Sequence, residues 1–309
     1  MDHGPLTGRV AGAPISWGVC EAPGWGVELP PSEVLAQMAA LGLAATELGP
    51  TGYLGPDPAS VRRTLATHGL GLVGGFVPVA LHFAAEVDLA PTVAAMRTLA
   101  EAGADVAVLA ADAGPTGYDR KVSLDDAEWA RLLHNLDRVR AEASALGLRT
   151  CLHPHVGTAI ESRDAVIRLL RDSDVGICLD TGHLAIGGMD PMELVASAAG
   201  RITHVHLKDV RLGTAKAVAE GAVSFLDGVR SGLFAPLGQG DLDIAGVVVG
   251  LERAGFTGWY VLEQDTALSA PLGEREEGPE ADVRRSMEFL WETVVPALDG
   301  ADHGGPDGA

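Results

Sequence analysis

Cysteine, positive charge and long apolar runs are all scarce in this 309-residue chain, and each scarcity removes a class of protein. The three cysteines, Cys20, Cys151 and Cys178, form no CxxC pair and are odd in number, so neither a disulfide framework nor a cysteine zinc site is indicated. Cys151 and Cys178 sit in apolar, strand-like runs and are expected to pack as small core residues. No stretch approaches the roughly 18 uninterrupted apolar residues of a membrane span. Residues 1–9 lack the apolar run of a signal peptide, so the expected setting is the cytoplasm, with no membrane partner. Bases number 22 against 42 acids, and a net charge of −20 repels a phosphate backbone or an anionic lipid surface. Nucleic acid is therefore not an expected partner, whereas small neutral ligands remain open.

What is present is a globular composition. Hydrophobic residues make up 47% and charged residues 21%, which excludes wholesale disorder. Short β-like runs alternate with amphipathic helical stretches, the pattern of parallel strands joined by helical crossovers. Candidate strands are 13–17, 44–48, 71–77, 105–110, 149–153, 175–180, 202–208 and 259–263, and eight such units close a barrel. Between them, 32–41 carries Val34, Leu35, Met38 and Leu41 at helical spacing, and 124–146 carries Leu132, Leu133, Leu136 and Val139 on one face. Gly42, Gly103, Gly147 and Gly255 follow the last apolar residue of a helix, where a left-handed residue stops it. The fold expected is α/β, a single (β/α)8 TIM barrel over 1–298, with a long loop after strand seven and a solvated tail over 299–309. That loop, 211–242, has the length of a lid or of a tolerated insertion. The acidic run 273–282 is read as solvated chain.

In such barrels chemistry gathers where strands end. Strand five ends in Leu-His153-Pro-His155, strand six in Leu-Asp180-Thr-Gly-His183, strand seven in His204-Val-His206-Leu-Lys208-Asp209, and strand eight in Leu-Glu263-Gln264-Asp265. Histidines two apart on an extended strand share a face, and a buried ionisable pair there must find partners or a cation. Convergence of His153, Asp180, His206 and Glu263 would make a mixed N/O metal site with positions left for substrate, suited to Mn2+ or Co2+, with Zn2+, Fe2+ and Mg2+ as alternatives.

Other polar groups have candidate roles beside it. His183 could bind substrate hydroxyls, orient a ligand, or hydrogen-bond to backbone. Lys208 beside a dication could titrate near neutrality and carry protons, or could simply pair with Asp209. Glu47, ending strand two, would point across the mouth. Trp17 ends strand one and Trp25 follows it; either could face a sugar ring or merely close the barrel. The Gly238-Gln239-Gly240 turn lacks the strand–helix setting and Lys-Ser/Thr of a phosphate loop.

These motifs together resemble the xylose-isomerase-like barrel superfamily of sugar isomerases and epimerases, and within it the inosose dehydratases and their close relatives. The resemblance runs from Ala13-Pro-Ile-Ser-Trp-Gly18 to Asp265, and its most specific pieces are His153-Pro-His155-Val-Gly-Thr158, Asp180-Thr-Gly-His183, His204-Val-His206-Leu-Lys208-Asp209-Val-Arg211 and Glu263-Gln264-Asp265. It implies a divalent metal held by Asp180, His206 and Glu263, with His153 at the strand-five position and His183 and Arg211 near the substrate. Ketose 3-epimerases of the superfamily carry a glutamate where His153 stands, and it serves them also as a base. A histidine there, in a His-x-His pattern, favours the dehydratase branch.

The activity implied is that of a lyase of inositol catabolism, dehydrating a keto-cyclitol such as 2-keto-myo-inositol through an enolate, with Glu47, Lys208 and His155 as candidate acids and bases. Two rivals use the same barrel: a metal-dependent isomerase or epimerase, and a subunit active only with a partner in a carbohydrate-processing complex. A homo-oligomer fits each of them. Endonuclease IV shares the fold but needs a basic DNA-facing surface, which the charge balance opposes.

Overall fold

The computed structural model of the chain describes residues 4–114, 117–270 and 278–302. Eight parallel strands close a barrel: β1 (Val10–Gly12), β2 (Ala45–Glu47), β3 (Gly71–Val79), β4 (Val106–Ala111), β5 (Arg149–Leu152), β6 (Gly176–Asp180), β7 (Ile202–Leu207) and, after a small two-stranded sheet of β8 (Asp209–Val210) and β9 (Phe234–Ala235), β10 (Tyr260–Leu262). Neighbours in the barrel are neighbours in sequence, apart from β10, which joins β7 to β1. Around it run α1 (Pro31–Ala40), α2 (Pro58–His68), α3 (Ala90–Ala102), α4 (Asp126–Ala145), α5 (Arg163–Asp172), α6 (Thr181–Ile186), α7 (Pro191–Ala198), α8 (Leu212–Ala219), α9 (Phe225–Arg230), α10 (Ile244–Arg253), α11 (Pro279–Phe289) and α12 (Val295–Asp302). None of the described helices is long and apolar enough to cross a membrane.

The helices end as their sequences dictate. Gly42, Gly103, Gly147 and Gly255 all adopt positive φ, between 79° and 101°, the conformation in which a Cβ is disfavoured. Helix α4 begins with a capping box in which Asp125 and Glu128 satisfy each other's backbone N–H. The apolar stripes of α1 (Val34, Leu35, Met38) and α4 (Leu132, Leu136, Val139) are buried against the barrel. Cys151 and Cys178 pack with Val106 and Val108 as expected.

Strand one differs from expectation. The strand is Val10–Gly12, and Pro14–Trp17 forms a 3-10 turn instead. Pro14 has no N–H to give the ladder and its fixed φ suits a helical first turn, so the extended run stops before it. The segment 211–242 is folded rather than an irregular loop: α8, α9 and β9 occupy half of it, and β9 pairs antiparallel with β8 just before it. Residues 299–302, read from sequence as the start of a tail, complete α12, while 303–309 lie outside the described residues. Of the acidic run, 279–282 begin α11 and 273–277 lie outside the described residues.

Candidate active site

The register of the barrel decides which strand ends meet. Asp180 on β6 lies directly beside His206 on β7, and His206 is in register with Val261 on β10. Registered residues in a parallel sheet point to the same face, and Glu263, two residues past Val261, points there too. His204, His206 and Lys208 share that parity, so one strand delivers three ionisable groups to the lumen, all of them buried.

Asp180 serves two structures at once. Its Oδ1 accepts the His183 backbone N–H at 2.8 Å and so caps α6. Its Oδ2 faces His153 Nε2 at 3.2 Å, Lys208 Nζ at 3.4 Å and His206 Nδ1 at 3.5 Å. Asp180, His206 and Glu263 each place a potential ligand atom within 4.8 Å of the others. His206 Nδ1 and Glu263 Oε2 face one another, yet among the described residues neither has a hydrogen-bond partner. Two carboxylates and an imidazole nitrogen thus converge, with Lys208 Nζ 3.5 Å from Glu263 Oε2, and this mixed N/O donor set fits a divalent metal.

The fourth expected ligand stands slightly apart. His153 groups with Asp180 and His183, and with Cys178 and His206, but no described cluster within 4.8 Å holds all four expected ligands. Asp180, His206 and Glu263 thus group together, and His153 Nε2 lies 3.2 Å from the Asp180 carboxylate.

Above this layer a cavity of about 320 Å³ opens, lined on its polar side by Glu47, His153, His155, Lys208, Glu263 and Asp265. That is near the small end of the range for small-molecule sites and suits a monosaccharide-sized ligand. Next to His155 the wall is aromatic. Trp25, Tyr118 and Phe225 pack with ring centroids 5.4–6.3 Å apart. Phe225 comes from α9, whose first backbone N–H donates to Asp119 Oδ1 at 2.6 Å and whose Arg230 donates to Gly24 O at 2.7 Å. The folded excursion after β7 is thus tied to two other loops over the mouth.

Acid–base character is divided between two neighbours. His155 bonds through Nδ1 to the Val156 carbonyl at 2.8 Å, which leaves Nε2 as its basic nitrogen. Burial, followed by the adjacent His153 and Lys208, pulls the His155 imidazole down to about 3, so it is neutral near pH 7. Lys208 donates to Asp265 Oδ1 at 2.7 Å and to His183 Nε2 at 3.0 Å. Burial opposes its charge, but the carboxylates of Asp180, Asp265 and Glu263 hold the ammonium well above the usual lysine value. Burial also pushes Asp265 up, to about 6, against the pull of Lys208.

Several sequence expectations are corrected by these positions. Lys208 does not pair with Asp209: Asp209 turns away, and its carboxylate accepts the backbone N–H groups of Gly238, Gly240 and Leu242 at 2.9–3.1 Å. The Gly238-Gln239-Gly240 turn is therefore folded on that carboxylate. None of the three residues expected to bind substrate lines the cavity. Trp17 is fully buried, its indole N–H on Gln37 of α1 at 2.7 Å, and Trp25 holds the wall instead. His183 lies behind His155, the two rings 3.7 Å apart, where it receives Lys208. Arg211 is exposed and donates to Gly232 O at 3.1 Å within the β8–β9 excursion.

Sequence reasoning gave no role to Asp265 or His204 and did not single out Tyr118 or Phe225. Asp265 was legible in principle, since it shares the parity of Glu263. Tyr118 and Phe225 come from connections whose packing no local pattern encodes.

A family model described as xylose isomerase-like TIM barrel matches residues 35–293. Inosose dehydratase of Geobacillus kaustophilus (strain HTA426) is 32% identical over 280 residues, 85% of this chain and 90% of that protein. Among solved structures, L-ribulose 3-epimerase superposes with a TM-score of 0.70 at 18% identity, over 96% of this chain and 99% of that one. The IOLI protein with a bound zinc atom superposes with a TM-score of 0.67 at 13% identity, over 93% and 98%. Likeness at those identities speaks for the fold.

Proposed function

From the premise that the chain belongs to the xylose isomerase-like TIM barrel family, we propose that it is a metal-dependent lyase that dehydrates a keto-cyclitol of the 2-keto-myo-inositol type through an enolate. The observation that carries the reading is the convergence of Asp180, His206 and Glu263 on one point, with Glu263 also lining a monosaccharide-sized cavity. The substrate class follows the likeness to inosose dehydratase over most of both chains. The cation is taken to be Mn2+ or Co2+, the substrate a small polyhydroxylated ketone, and the setting the cytoplasm; zinc in the IOLI protein supports a divalent ion in this fold.

Asp180, His206 and Glu263 would hold the ion, with His153 beside them, and a dication there supplies Lewis-acid polarisation of a substrate carbonyl. The protein's own groups account for the proton movements. His155, neutral and with Nε2 as its basic nitrogen, takes the proton α to the carbonyl, leaving the electron pair in the enolate. Lys208, held as an ammonium, gives a proton to the β-hydroxyl as its C–O bond breaks, so one water leaves and the remaining enol becomes a diketone. Asp265 and His183 hold Lys208 in place. The aromatic wall of Trp25, Tyr118 and Phe225 suits the C–H face of a polyol ring and keeps bulk water from the reacting side.

The test is elemental analysis of the purified protein followed by incubation with 2-keto-myo-inositol and with simple ketoses. Dehydration produces a new diketone absorbance, whereas epimerisation returns an isomer without it. Asp180→Ala and Glu263→Ala are each expected to lose bound metal and turnover together. A variant that keeps tight metal and full turnover would remove its residue from the ligand set.

A further inference from the structure

We propose that Glu47 is a positioning residue: its buried carboxylate accepts Nε2–H from both His204 and His206, which fixes His206 in the tautomer that leaves Nδ1 bare toward Asp180 and Glu263. This rests on the metal reading given above. The geometry is specific. Glu47, at the end of β2, reaches across the lumen to β7, where its Oε1 lies 2.8 Å from His204 Nε2 and 3.1 Å from His206 Nε2. An ionised carboxylate only accepts hydrogen bonds, so both facing nitrogens carry protons. With a cation held, His206 must be neutral and carry one proton, so Nδ1 presents its lone pair, and it faces Glu263 Oε2 and Asp180 Oδ2. The opposite tautomer would set a lone pair against the Glu47 carboxylate and an N–H where a ligand atom is needed.

His204 has a place in the same device. Its Nδ1 is buried without a partner, so among the described residues its Nε2 contact with Glu47 is its one hydrogen bond. Two imidazole donors on a single oxygen restrict rotation of the carboxylate, as a single donor would not. The expectation that Glu47 abstracts a substrate proton gives way to a holding role. Glu47, His204 and His206 also lie within 4.8 Å of one another, so a second cation bound by these three is the alternative that the test must separate.

The experiment uses the full-length protein stripped of metal. Wild type, Glu47→Ala and Glu47→Gln are titrated calorimetrically with Mn2+, and histidine tautomers are read by 15N NMR in the metal-free state. Loss of such a partner typically weakens metal binding about 10- to 100-fold. Glu47→Ala should fall in that range and leave His206 as mixed tautomers. Glu47→Gln keeps the shape and an acceptor oxygen but can also turn its amide N–H groups to the imidazoles, so it should be intermediate. That variant carries the test if Glu47→Ala does not fold, and Mn2+ binding by Glu47→Gln equal to wild type would then overturn the proposal. Unchanged Mn2+ affinity with lowered turnover would make Glu47 a base and overturn it too. Two bound ions in wild type falling to one in the variants would assign a second cation site in its place. A wild type that binds no cation would bring down the metal reading itself, which distinguishes that failure from equal binding by wild type and variants.

Discussion

At the scale of single residues, the site works by assigning each polar atom one task. Asp180 caps α6 with one oxygen and faces the ligand cluster with the other. His155 and Lys208 are both buried, yet their neighbours drive them to opposite protonation states: the imidazole neutral, the amine charged. That division is what an elimination needs, a base and an acid present at the same pH. His155→Gln should therefore lower kcat by about 10²-fold or more while metal content, measured by elemental analysis, stays at the wild-type level. A loss of metal in that variant would instead make His155 part of the ligand set.

Among elements, the excursion after β7 is the part that interrupts the alternation of barrel strand and helix. The Asp209 carboxylate, almost wholly buried, organises it by accepting three backbone N–H groups. A Cβ on Gly240 would sit 2.2 Å from Asp209 Oδ1, so the turn closes tightly on that group. Asp209→Ala takes the acceptor from three partly buried N–H groups and should cost about 2 kcal/mol, visible as a lower melting temperature. Helix α9 brings Phe225 to the aromatic wall. Phe225→Ala removes roughly 2 kcal/mol of apolar contact, so KM should rise about tenfold or more in steady-state kinetics, with kcat less affected. An unchanged KM would mean that the substrate does not touch that wall.

For the whole molecule, an ion held as proposed by Asp180, His206 and Glu263 would tie together the ends of β6, β7 and β10. An ion that binds only the folded chain stabilises it by about 2.7 kcal/mol at a concentration 100 times its Kd. Stripping the metal with a chelator should lower the melting temperature by about 5 °C, and scanning calorimetry with and without added Mn2+ reads this directly. Equal melting temperatures would mean that no such ion is held by the native barrel.

Local chemistry alone was enough to read much of this protein. Strand and helix periods announced eight βα units, glycines marked helix ends, and the period of two along β7 put His204, His206 and Lys208 on one face. Asp180, His206 and Glu263 were legible because each falls at or beside the end of a strand, where a barrel collects its polar groups. Tertiary structure decided the pairings. Lys208 chose Asp265, 57 residues away, over the adjacent Asp209, because successive residues on a strand point to opposite faces and strand closure sets who stands across the lumen. In the same way Trp17 turned into the core and Trp25 onto the wall, Arg211 stayed outside, and Glu47 met two imidazoles from β7. Which face a side chain takes is a local property of the backbone, whereas what it meets there depends on the register and closure of the barrel, which no short stretch of sequence contains.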